Sequence, residues 1–173
     1  LIKTREVDMI RLCATLQQQK LAPELTALLN QMLEVTRTIV YSCKTIQDIA
    51  DNLTQIRQPS HGNTVAHQIY TQQREFFIST YKKLLPLITQ PHELPYVEEQ
   101  IQKYVETNNV HFNAMNSLLY QQVAAENELS DGYLFSTLLN VNREIHHSTK
   151  NMMHAIIVWQ QLQANLQNIL PNE

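Results

Sequence analysis

The chain has 173 residues, 43% of them hydrophobic, enough for one domain that buries about two-thirds of its unfolded surface in a single core. Two Gly and six Pro are too few turn formers for a many-stranded β protein, so the composition points to an all-α fold. The net charge is −3 with 17% charged residues; no Lys/Arg cluster is denser than Lys82–Lys83, which excludes an electrostatic footprint for nucleic acid, and no apolar run reaches the ~18 residues of a membrane span.

Val7, Ile10, Cys13 or Ala14, and Leu16 recur at helical spacing and predict a short first helix ending near Lys20. Cys13 and Cys43 both fall on apolar stripes; they read as small buried hydrophobes in a reducing compartment, with a disulfide between packed helices as the alternative. Pro23 and Glu24 suit the first turn of a second helix, where a missing N–H costs nothing and a carboxylate meets the positive helix end. From there Leu25, Leu28, Met32, Val35, Ile39, Ser42, Ile46, Ile49, Leu53 and Ile56 alternate steps of three and four, predicting one helix from Pro23 to Gln58 of roughly 50 Å. Pro59, Ser60, His61, Gly62 and Asn63 stop it.

A third helix is predicted from about Thr64 to Thr89, with Ile69, Phe76, Phe77, Thr80, Leu84 and Ile88 inward and Pro86 kinking or ending it. After a break at Gln90–Pro95, the fourth carries Val97, Ile101, Tyr104 or Val105, Asn108, Phe112, Met115, Leu119 and Val123 and frays near Glu128. Ser130 and Asp131 are suitable caps for a fifth, which runs to about Ile169 before Pro171. Long helices with such stripes and short breaks bury their seams on one another as antiparallel neighbours. The expectation is therefore a single domain, residues 1–173, built as an elongated up-and-down bundle of five helices. Asn108 and Ser42 fall in the seams, where they set register or hold a bridging water.

The stretch Leu138–Ile156 holds the candidate ligands Glu144, His146, His147 and His154. At 100° per residue Leu134, Leu138, Val141, Thr149, Met152, Ile156 and Trp159 lie within about 40° of Ile145, and this is the core stripe. His146 borders it, as a structural side chain. His147 and His154 fall nearly opposite Ile145, beside Arg143 and Lys150, whose charges oppose a divalent ion and leave it no anionic ligand on that face. Glu144–His147 spells Glu-x-x-His, the element that di-metal carboxylate bundles use in pairs; here it occurs once. The face of Arg143, His147, Lys150 and His154 reads as an interaction surface, with Asp51, Glu144 and His147 as the weaker metal candidates. Asp48 with Asp51, or Glu98 with Glu99, read as solvated helix charges rather than acid/base pairs, and no phosphate loop or nucleophile motif is present, so neither catalysis nor a cofactor is expected.

The stretches DGYLFSTLLNVNREIHHSTKNMMHAI (Asp131–Ile156) and REVDMIRL (Arg5–Leu12) resemble the PhoU-like helical domain, in particular the form at the cytoplasmic C-terminus of bacterial sodium-dependent phosphate cotransporters. The resemblance implies two packed three-helix bundles, each closing on a helix with a Glu-x-x-x-Asp motif that holds a metal cluster in some members. Those motifs would fall at Gln47–Asp51 and Arg143–His147, where only Asp51 matches. It also implies a partial first bundle at residues 1–58, lacking a helix that would precede Leu1 together with the membrane part, and a complete second bundle at 64–170. The function it implies is regulation of phosphate uptake at the cytoplasmic face of the bacterial inner membrane, with the transporter domain as partner and a homo-oligomer through helix packing as a further possibility. The alternative is a ligand-binding bundle of a bacterial chemoreceptor or sensor kinase.

Overall fold

A computed structural model describes residues 2–57, 65–90, 92–125 and 132–169. The elements are α1 (Ile2–Gln17), α2 (Pro23–Asp48), α3 (Ala50–Ile56), α4 (Val65–Thr89), α5 (Leu94–Ala124) and α6 (Tyr133–Ile169); no strand occurs among the described residues. Ile49 alone separates α2 from α3 (φ −99°, ψ 4°), and the Leu53 N–H still donates to its carbonyl at 2.9 Å. The predicted second helix is thus one rod with a single-residue interruption, and five rods make the all-α bundle. Gly132, at φ 67°, turns the chain into α6; an added Cβ would meet nothing within 4 Å there, so the backbone conformation and not space selects glycine. Asp131 and Ser130, read as caps, lie outside the described residues, as do Gln58, the Pro59–Asn63 stop and Thr64.

α6, 37 residues and roughly 55 Å long, is the axis of the molecule, packed against α2, α3, α4 and α5. Contacts between Gln31 and Asn165, Ser42 and Ser148, and Gln55 and Tyr133 run in opposite senses along α2–α3 and α6, so these rods are antiparallel. The same holds for α5, through Glu98 with Gln161 and Asn116 with Asn142. α4 runs parallel to α6, joined to it by Tyr81 with Ser148 and by Leu87 with Gln160.

The stripes predicted on α2, α5 and α6 face inward with few exceptions, but two other elements differ. Val7 and Ile10 of α1 are 44% and 37% exposed, and the helix stops at Gln17 rather than Lys20. α1 packs on α2, so one narrow line of Met9, Cys13 and Leu16 suffices for it, and only Cys13 of these is fully buried. Both cysteines are free thiols. In α4, Pro86 sits inside the helix without ending it, and Gln90 N–H donates to the Pro86 carbonyl at 3.0 Å. Beyond Leu84 the inward step is three and not four: Leu87 is buried and Ile88 exposed. The Leu87 carbonyl, orphaned at a helix end, accepts from Gln160 Nε2 at 2.8 Å.

The apolar core comes in two parts. One gathers Ile49, Ile56, Ala66, Ile69, Met115, Leu119, Leu138, Val141 and Ile145; the other gathers Leu84, Leu87, Val97, Ile101, Met153 and Ile156. Each fully buried aliphatic side chain contributes about 1.5–3 kcal/mol. Buried polar residues lie between the two parts on three rods, Gln73 and Thr80 on α4, Asn108 on α5, and Ser148 and Thr149 on α6, and Ser42 and Thr45 of α2 are buried as well. Gln73 is 1% exposed, and neither atom of its amide has a partner. An unpaired buried polar group costs about 1–3 kcal/mol, so Gln73→Met, of similar length and without those groups, is expected to raise the urea unfolding free energy by about 1–3 kcal/mol. A loss of stability would mean that the amide is satisfied in solution.

Candidate functional site

The polar waist is where α6 meets α2, α4 and α5 through hydrogen bonds rather than apolar contact. Ser42 Oγ donates to the Ser148 carbonyl at 2.8 Å, and Ser148 Oγ returns a bond to the Ser42 carbonyl at 3.0 Å. Both serine protons are then committed, although the two oxygens lie only 3.0 Å apart. The Tyr81 hydroxyl, 3.3 Å from Ser148 Oγ and 3.4 Å from Ser42 Oγ, must therefore be the donor toward that pair. Three rods share one desolvated cluster, with both serines fully buried.

On the α5 side, Asn108 Nδ2 donates to the His146 carbonyl at 3.1 Å. A carbonyl only accepts, so this bond fixes the amide orientation, and the second contact, Nδ2 to His146 Nδ1 at 3.1 Å, makes that ring nitrogen an acceptor with its proton on Nε2. The ring also stacks on Phe112, centroids 4.5 Å apart. Asn142 Nδ2 donates to Asn116 Oδ1 at 2.8 Å and to the Phe112 carbonyl at 3.1 Å. His111 stacks on Phe76 at 3.7 Å with nearly parallel rings, and its Nε2 is buried without a partner. Burial lowers the pKa of His111 below its usual 6.5. Burial first, then the neighbouring charge of His147, lowers that of His146, opposed in part by the Asn108 backbone.

The residues of the predicted interaction surface all lie outside: Arg143, His147, Lys150 and His154 are exposed along one line of α6. Two are already engaged. Arg143 pairs with Glu144 at 2.9 Å, and His154 Nε2 lies 3.0 Å from Glu34 Oε1 of α2. The anionic neighbour of Arg143 thus comes from α6 itself, and that of His154 from another rod. The metal candidates do not converge. Asp51 is exposed on α3, and the register of Ser42 with Ser148 and Gln55 with Tyr133 sets it level with Thr137–Leu139, about 13 Å along the axis from His147. Glu144 is spent on Arg143, and among the described residues no group of three or more His, Cys, Asp or Glu side chains could hold a metal ion.

Ser42 and Asn108 were legible as seam residues, and the structure supplies them with direct partners. Ser148 and Asn142 went unrecognised among the polar residues of their helix. The available signal was spacing: Ser148 lies three residues from Ile145 and seven from Val141, both on the core stripe. Comparison with family models, with curated proteins and with solved structures returns no match to this chain.

Two outcomes follow from the waist. Ser42→Ala leaves the Ser148 carbonyl short of a buried donor, for an expected loss of about 1–3 kcal/mol; the Ser42→Ala, Ser148→Ala double variant should lose less than the sum of the singles, since they act on one cluster. Additive losses by urea unfolding would contradict the reciprocal pairing. Because the folded pKa of His111 and His146 lies below the unfolded value, the unfolded chain binds their protons first, and their contribution is intact above about pH 6.5 and falls away as pH drops below it. The Tm loss between about pH 7.5 and about pH 5.5 should therefore shrink in the His111→Gln, His146→Gln variant. An unchanged pH slope would show that other groups govern it.

Proposed function

We propose that this chain is a non-catalytic regulatory domain acting in phosphate uptake, attached to a sodium-dependent phosphate transporter and working at the cytoplasmic face of the bacterial inner membrane. Asp131–Ile156 and Arg5–Leu12 support the family side of this reading through their PhoU-like resemblance. Its regulatory side is carried by one observation, that a single helix, α6, touches α2, α3, α4 and α5 at once. A small rotation or slide of α6 has to be answered by every rod packed on it, because close-packed seams and paired buried polar groups do not deform gradually. A partner that prefers one packing shifts the population by its difference in affinity for the two. In this reading the exposed line of Arg143, His147, Lys150 and His154 is the face offered to the transporter domain.

Deleting this segment from the intact transporter is expected to change the rate of phosphate uptake or its dependence on phosphate concentration. Uptake unchanged in both respects overturns the reading. The sensor alternative is favoured by a different feature, an apolar cavity between α1, α2, α4 and α6. The parent gene separates the two: a multi-span membrane segment before Leu1 fits the transporter domain, whereas single spans on both sides fit a sensor.

A further inference from the structure

We infer that the space between the α1–α2 hairpin and α6 is a binding site for a long unbranched acyl chain, a free fatty acid. The site stands on its own geometry and does not depend on the transporter reading. A cavity of about 390 Å³ opens between α1, α2, α4 and α6, walled by Met9, Met32, Val35, Ala155, Ile156 and Trp159 among others. Its one polar wall residue, Thr36, already donates its hydroxyl to the Met32 carbonyl at 2.8 Å, so no hydrogen-bonding side chain faces an occupant except the Trp159 indole. Met32 is shared with a second cavity of about 270 Å³, whose lining is aliphatic throughout and includes Leu16, Leu21, Leu25 and Leu162. Their linings meet at Met32 and together follow α2 as an apolar lane from Leu25 to Ile39, fourteen steps or roughly 21 Å, which is the reach of an extended long-chain acyl group.

Three methionines, Met9, Met32 and Met152, line this lane, and their unbranched side chains adapt to a flexible occupant. The wall on the α1 side packs on α2, with the weak contact of Gln17 Nε2 with Asn30 Oδ1 at 3.3 Å between them. One charge fits the headgroup: Lys20, in the link between α1 and α2, precedes the lining residue Leu21 and is exposed, with no ion pair among the described residues. Glu24 of the α2 first turn, beside the lining residue Leu25, carries the opposing charge, which makes the balance of the two a specific handle on a carboxylate.

Trp159, the single tryptophan of the chain, stands in the wall and reports occupancy directly. Doxyl-labelled stearate, titrated below its micelle concentration into the whole protein, is expected to quench this fluorescence saturably at one ligand per chain, with palmitate restoring it. Lys20→Ala should weaken binding roughly tenfold, the loss of one charge-assisted contact, and Glu24→Gln should tighten it. Ala155→Phe, which fills the cavity, should abolish the quenching with helix content retained by circular dichroism; if that variant fails to fold, Thr36→Glu places a charge in the same wall and should act alike. Absence of saturable quenching, binding unchanged by Lys20→Ala, or quenching that tracks only dimer formation through this face would each overturn the assignment.

Discussion

The exchange of hydroxyl-to-carbonyl hydrogen bonds between Ser42 and Ser148 is the constraint on which the bundle turns. Each serine is small enough to let the α2 and α6 backbones approach until a side-chain oxygen of one reaches a main-chain carbonyl of the other. Apolar stripes alone tolerate sliding by a turn or rotation by a residue, since one aliphatic side chain replaces another at little cost. A buried hydroxyl does not, because leaving its partner unpaired costs more than the bond itself yields. The two serines therefore choose one register among several that the stripes allow, and Tyr81 carries that choice to α4.

From that register the rest of α6 is placed. His146 meets Asn108 and Phe112, Asn142 meets Asn116, and Gln160 meets the orphaned carbonyl of Leu87, so each long neighbour is tied to α6 by at least one polar contact as well as by packing. The two apolar cores above and below the waist supply the bulk of the stability, while the waist supplies specificity. Gln73 and His111 are the exceptions, buried at the same level without complete pairing.

Helix existence, type and most inward faces were readable from the sequence because three-four spacing is a property of one segment at a time. Ser42 and Asn108 stood out for the same reason, as polar residues at positions the period assigns to the core. Their partners did not, since the meeting of Ser42 with Ser148, 106 positions later, depends on how two rods rotate and slide against each other. Glu34 beside His154 escaped on identical grounds. The stripe on α1 was overread because Val7 and Ile10 are as apolar as core residues, yet the burial of a helix face is decided by how many neighbours it has. Past Pro86 the change of inward residue from Ile88 to Leu87 follows from the local path of a helix that keeps going through a proline, which the spacing rule does not contain. The apolar lane is assembled from four rods and so leaves no mark on any one of them.

If α6 is the axis to which the other rods are tied, the resistance of the molecule to local opening must be greatest there. Native-state amide hydrogen exchange reads this directly, residue by residue. The account predicts that the slowest amides lie in the middle of α6, around Val141–Val158, with the facing turns of α2 and α5 next and α1 fastest among the helices. Exchange in that stretch of α6 as fast as in α1, or a slow core confined to α2 with α6 open, would contradict it.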